Sequence, residues 1–257
     1  MSRIKDAFSD NKAFIAYLVA GDPTLEASAE YILTAQDAGA DMVEIGIPFS
    51  DPIAEGEVIQ AAGLRALSSG ARLDGIFSMV ESIKDKMRIP MVFMTYLNPV
   101  FVYGYDSFFA RCAAIGICGV IIPDMPFEEQ HEAKESARLF GIEVVTIVAP
   151  TSVKRIAQIA GGAEGFIYLV SSMGVTGVRS EITTDLPSII SEIRKHTDIP
   201  VAVGFGISTP EQVRYFSSVA DGVIVGSAFV RIIGQHGKNA KAPLLGFMTE
   251  LKQNMSP

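Results

Sequence analysis

Short apolar runs rich in β-branched and aromatic residues alternate along this chain with segments whose apolar positions recur every three or four residues. The runs fall at residues 14–20, 42–47, 91–95, 119–123, 143–148, 165–169, 201–203 and 222–225. Their length and composition predict buried strands. The segments between them, among them 25–38, 73–86, 128–139, 186–195 and 210–218, have the 3.6-residue period of amphipathic helices. Eight such βα units in about 250 residues predict an α/β fold, a (β/α)8 TIM barrel, with an open doubly wound sheet as the alternative. No linker or shift of composition divides the chain, so residues 1–257 read as one domain. Residues 2–11 read as an extra N-terminal helix that plugs the lower mouth of the barrel.

In a barrel of this kind chemistry collects where strands end, so polar side chains at strand C-termini are the informative ones. Three groups qualify. Glu44 lies inside Val43-Glu44-Ile45-Gly46, and period-2 geometry sends it to the face opposite Val43 and Ile45. A charge aimed into a core needs a partner or a function. The loop that follows, stiffened by Pro48 and Pro52, adds Asp51, Glu55 and Glu57. Two carboxylates in different surroundings can divide proton donation from proton acceptance; the plainer reading is an ion-paired core acid with solvated loop acids beside it. Tyr168 is the second candidate, aligned with Phe166 on the inward face and followed by a glycine-containing loop, Gly174-Val175-Thr176-Gly177. Its phenol either orients a substrate or carboxylate or is a packed core tyrosine. The third group pairs Gly204-Phe205-Gly206-Ile207-Ser208 after the seventh strand with Gly226-Ser227-Ala228 after the eighth. Glycines let backbone N–H groups approach an anion, and a helix starting just after Gly226 adds its positive end. Loops after strands seven and eight are the recurrent phosphate site of barrels.

Charge sharpens that last point. Twenty-one basic against twenty-nine acidic residues give a net charge of −8, and neither glycine segment contains Lys or Arg. A phosphate would therefore be held by backbone dipoles and Ser227 against the overall field. No basic run suggests nucleic acid, and no stretch reaches the ~18 apolar residues of a membrane span. The chain reads as a soluble cytoplasmic protein. His131, His196 and His236 lack ligand spacing, which argues against a metal. Cys112 and Cys118 read as buried free thiols.

Taken together, Ala20-Gly21-Asp22-Pro23, the block from Glu44 to Pro52, Pro123-Asp124-Met125-Pro126, Gly174-Val175-Thr176-Gly177 and Gly204-Phe205-Gly206-Ile207-Ser208 resemble the tryptophan synthase α subunit nearly end to end. The resemblance implies a barrel that cleaves indole-3-glycerol phosphate to indole and glyceraldehyde 3-phosphate. It implies no cofactor in this chain and a β subunit that carries pyridoxal phosphate, in an α2β2 complex. Glu44 matches the principal acid-base residue, Glu55 the carboxylate that receives the indole N–H, and Tyr168 the tyrosine beside the acid. Gly177, Gly204, Gly206, Gly226 and Ser227 match the phosphate set. Tyr17, Met94 and Phe205 fall at the indole wall, Thr176 at the lid threonine, and Pro48, Asp51 and Pro52 at the loop facing the β subunit.

The usual Ala-Asp-Gly-Pro of the family is here Ala54-Glu55-Gly56-Glu57, which lengthens the second acid by one methylene and is expected to free the loop by removing a proline. Ser172 stands where many relatives carry arginine. Two other functions fit the residues: a subunit with degraded chemistry that serves to activate its partner, and a different phosphate-binding barrel such as an isomerase or epimerase.

Overall fold

In the computed structural model, residues 4–9, 12–150, 155–171, 185–204 and 206–256 are described. Eight parallel strands close into a barrel in chain order: β1 (Ala13–Val19), β2 (Met42–Gly46), β3 (Met91–Met94), β4 (Ile117–Ile121), β5 (Glu143–Val148), β6 (Ile167–Val170), β7 (Val201–Gly204) and β8 (Gly222–Val225). Pairing of β1 with β8 completes the ring, which excludes the open doubly wound sheet. The helices that pack around it are α1 (Leu25–Asp37), α2 (Glu57–Ser68), α3 (Leu73–Ile83), α4 (Leu97–Tyr103), α5 (Tyr105–Ala114), α6 (His131–Leu139), α7 (Ile156–Gly161), α8 (Leu186–Ile193), α9 (Pro210–Val219), α10 (Ser227–His236) and α11 (Lys241–Gln253).

Alternation along each strand divides the apolar residues into two layers. Val43, Ile45, Phe93, Val120, Val144, Leu169, Val203 and Val225 face the helices. Ile15, Tyr17, Met42, Val92, Ile121, Val145, Phe166, Tyr168, Ala202 and Ile224 fill the barrel interior. Because both faces are covered, the strands are apolar throughout, and only the few polar interior positions stand out.

Of the helix expected over 2–11, the described residues form a short 3-10 helix, Ile4–Phe8; residues 2, 3, 10 and 11 lie outside the described residues. Ile4 is fully buried, and its Cδ1 lies where a Cβ on Gly119 would sit, at 2.5 Å. Phe8 packs on Phe166 with ring centroids 5.8 Å apart. Cys118 lies within β4, where the register against β3 shifts between Met91 and Val92. Both cysteines are buried and free, and burial pushes the Cys118 thiol up to about 12. Among the described residues no helix is long and apolar enough to cross a membrane.

Candidate active site

The register of β1 against β2 sets Tyr17 beside Glu44, and one step further Val19 beside Gly46. Gly46 in turn pairs with Met94 of β3. Tyr168 reaches the interior from β6, with Ala202 of β7 as its neighbour. Tyr17, Glu44, Met94 and Tyr168 thus line one pocket at the C-terminal mouth, together with Glu55, Gly206, Gly226 and Ser227. The pocket holds about 490 Å³ of empty space, counting the open solvent at its mouth.

Glu44 is fully buried, and neither carboxylate oxygen has a hydrogen-bond partner among the described residues. Desolvation without a compensating donor disfavours the ionised form, and burial raises its pKa to about 8. A carboxyl so raised is mostly protonated at neutral pH. Among the described residues Glu44 has no ion-pair partner, so the reading of an ion-paired core acid finds no support there. Glu55 is half-buried on the loop between β2 and α2, and burial raises it to about 7, so it is not a solvated surface acid. The Tyr17 and Tyr168 phenols are also driven upward, first by burial. Charge on Glu55 and Glu44 adds to the shift at Tyr17, and charge on Glu44 adds to it at Tyr168. Both remain protonated donors.

Three glycines make room for these rings. A Cβ at Gly46 would overlap the Tyr17 phenol, and one at Gly204 would overlap the Tyr168 phenol. A Cβ at Gly226 would lie 2.9 Å from Tyr17 Cδ1. Gly204 and Gly226, singled out in the sequence for anion binding, are thus required first by the packing of the two tyrosines. Gly226 also precedes α10, whose first residue is the buried Ser227. Gly206 has φ +81, a left-handed conformation that glycine supplies without strain. The loop it belongs to is fixed by a capping box: Thr209 Oγ1 accepts from the Gln212 N–H, while Gln212 Oε1 accepts from the N–H groups of Thr209 at 3.3 Å and Ser208 at 2.8 Å. The helix end and the glycine loop face the same pocket, whose lining among the described residues contains no Lys or Arg.

Pro48 and Pro52 are half-buried, and Asp51 is exposed beside Ile53, which is 72% exposed. Glu57 is the first residue of α2, with Gly56 as N-cap. An acid at this position is favoured by the helix dipole, just as proline is favoured by its fixed φ. The substitution keeps the helix start. Phe205, Thr176, Gly177 and Ser172 lie outside the described residues.

Sequence reasoning missed Tyr96, Ala54, Ile59 and Ile224, which also line the pocket. Two carried a signal. Tyr96 follows Met94 by two residues, and Ile224 stands between Gly222 and Gly226 on the inward period of β8.

The family model described as "Tryptophan synthase alpha chain" matches residues 4–256. The chain belongs to the tryptophan synthase alpha chain family. A tryptophan synthase alpha chain from Lacticaseibacillus casei is 44% identical over 252 residues, covering 98% of this chain and 95% of its own. One from Lactiplantibacillus plantarum is 48% identical, covering 92% and 90%. Among solved structures, tryptophan synthase from Mycobacterium tuberculosis superposes with a TM-score of 0.90 at 34% identity, over 99% of this chain and 98% of the other. A chain from a structure of the mutually activating tryptophan synthase a2b2 complex of Pyrococcus furiosus gives 0.86 at 39% identity, over 94% and 98%.

Proposed function

We propose that this chain performs the lyase reaction of the tryptophan synthase alpha chains, cleaving indole-3-glycerol phosphate to indole and glyceraldehyde 3-phosphate. The observation that carries the reading is the buried, unpartnered Glu44 acid inside an apolar pocket whose rim is built for an anion.

In this reading the phosphate docks on the amides around Gly206 and Gly226 and on the Ser227 hydroxyl, at the start of α10. Gly177 and the lid Thr176 contribute from the neighbouring loop. The indole ring lies against Tyr17, Met94 and Phe205. Glu44, neutral at pH 7, gives its proton to indole C3, and Glu55, when ionised, accepts the hydrogen bond of the ring N–H as positive charge develops there. The carbon–carbon bond then breaks with its electron pair returning to the ring. The side-chain hydroxyl loses its proton and becomes the aldehyde, so the proton given at C3 is recovered at oxygen. Tyr168 orients the Glu44 carboxyl. Desolvation serves the step twice, by keeping the acid protonated and by excluding water from the cationic ring.

The Pyrococcus furiosus relative is described as an a2b2 complex, and we infer the same association here. Pyridoxal phosphate belongs to the β partner. Pro48, Asp51, Pro52 and the exposed Ile53 form the surface that meets it. On this reading the protein acts in the cytoplasm. Purified chain should release indole slowly from indole-3-glycerol phosphate and faster with β subunit added. No indole under either condition would leave only the activating role.

A further inference from the structure

The acid that departs from the family pattern, Glu55, is held by its backbone from two sides. Tyr96 Oη accepts a hydrogen bond from the Ala54 N–H at 3.0 Å. On the other side Gln60 Nε2 donates to the Glu55 carbonyl oxygen at 2.7 Å. The peptide unit between Ile53 and Ala54 is therefore tied to the β3–α4 junction, and the one between Glu55 and Gly56 to the first turn of α2, so the backbone is anchored just before and just after Glu55.

Both anchors are themselves held by further contacts. Tyr96 is 2% exposed and serves as N-cap residue of α4. The next residue, Leu97, donates its N–H to Asp124 Oδ1 at 2.8 Å, which fixes the junction to the loop after β4. The Tyr96 ring also packs on Phe49, with centroids 5.3 Å apart. One side chain thus holds both limbs of the loop, Phe49 as it leaves β2 and Ala54 as it approaches α2. Gln60 sits on a helix that is itself tethered: Arg65 donates from Nε and Nη2 to the two carboxylate oxygens of the fully buried Asp22, at 2.8 and 2.7 Å. That pair joins α2 to the loop after β1.

We propose that Tyr96 and Gln60 are positioning residues that set the reach of the Glu55 carboxyl into the pocket. The inference rests on Glu55 serving as the carboxylate of the lyase reaction. A glutamate has one more rotatable bond than an aspartate, so its carboxyl samples a larger volume unless its backbone is fixed. The clamp on Ala54 and Glu55 restricts the backbone's share of that freedom, in a pocket that Tyr96 itself lines. Neither side chain needs to touch the reacting atoms for this role.

The experiment measures indole release from indole-3-glycerol phosphate by the full chain with β subunit, for wild type, Tyr96→Phe, Gln60→Met, Glu55→Gln and the double variants. Tyr96→Phe keeps the ring against Phe49 and removes only the acceptor. A misplacement of a fraction of an ångström is expected to lower kcat by about tenfold, since about 1 Å costs roughly 100-fold. KM should change less than kcat, because the phosphate contacts proposed at Gly206, Gly226 and Ser227 are untouched. In the Glu55→Gln background the same change should have almost no effect, since a residue acting through Glu55 has nothing left to position. Wild-type kcat in both Tyr96→Phe and Gln60→Met would overturn the clamp, as would an equal tenfold loss with and without the Glu55 carboxylate. Wild-type turnover in Glu55→Gln itself would instead remove the reading of Glu55 on which the clamp depends.

Discussion

Replacing Glu44 by Gln should stabilise the protein, and by an amount that grows with pH. The folded-state carboxyl titrates near 8 because it is buried, against 4.5 for the unperturbed group. The sign follows from linkage. A folded-state pKa above the unfolded value means that the native protein binds the proton more tightly, so stability falls as pH rises from about 4.5 and levels off above about 8. Each pH unit in that window costs about 1.4 kcal/mol, so the wild type is penalised by about 1 kcal/mol at pH 5 and about 4 kcal/mol at pH 8. Glutamine does not ionise. Any hydrogen bonds its amide gains or leaves unmade add the same amount at both pH values, so the difference between the two isolates the ionisation. The stability gain of Glu44→Gln should be about 3 kcal/mol larger at pH 8 than at pH 5, or about 10 °C in unfolding midpoint for a chain of this size. Urea and thermal unfolding followed by circular dichroism, on both proteins at pH 5, 6.5 and 8, would measure it. An equal gain at every pH would show that the carboxyl ionises as in water, and the assignment of Glu44 as a neutral proton donor would fall with it.

The same two acids set the pH profile of the reaction. With Glu55 required ionised and Glu44 required protonated, kcat/KM should rise through about pH 7 and fall through about pH 8. A profile flat from pH 6 to 9 would contradict both roles, and Glu55→Gln should abolish the acidic limb alone. Gly226→Ala should raise KM by about tenfold, or about 1.4 kcal/mol, because the new methyl meets Tyr17 Cδ1 at 2.9 Å and must displace either the ring or the amide next to α10. An unchanged KM would count against the anion rim.

The legible parts of this molecule are those that depend on local periodicity. The eight apolar runs give the barrel because each strand is buried on both faces, and Glu44 stands out because it is the polar residue on an inward position of β2. Tyr17 and Tyr168 follow from the same alternation. What the periodicity does not carry is where one loop leans on another. Tyr96 lies two residues past Met94, just beyond the end of β3, and its bond to Ala54 spans 42 residues of sequence. Glu57 is a second case. The chain alone shows an acid in place of a proline, whereas the structure makes that residue the first of α2, where both side chains suit the helix start. Gly204 and Gly226 signalled an anion site, yet the tyrosines that need the space come from β6 and β1. No residue near either glycine in the sequence announces them.

An anionic substrate and a chain of net charge −8 pose a problem that burial of the acids resolves. A carboxylate within about 8 Å of a phosphate would repel it by roughly 2 kcal/mol per unit charge at an effective dielectric near 20. A pocket with Glu44 and Glu55 both ionised would oppose the amide rim that has to hold the ligand without a lysine or arginine. Raised to about 8 and about 7, the two acids together carry about half a unit of negative charge at pH 7 rather than two. Proton delivery and phosphate recognition thus draw on one physical cause. On the proposed mechanism the desolvation that keeps Glu44 protonated for the indole carbon also removes its charge from the neighbourhood of the phosphate, so the pocket carries one negative charge in operation, on Glu55, rather than two.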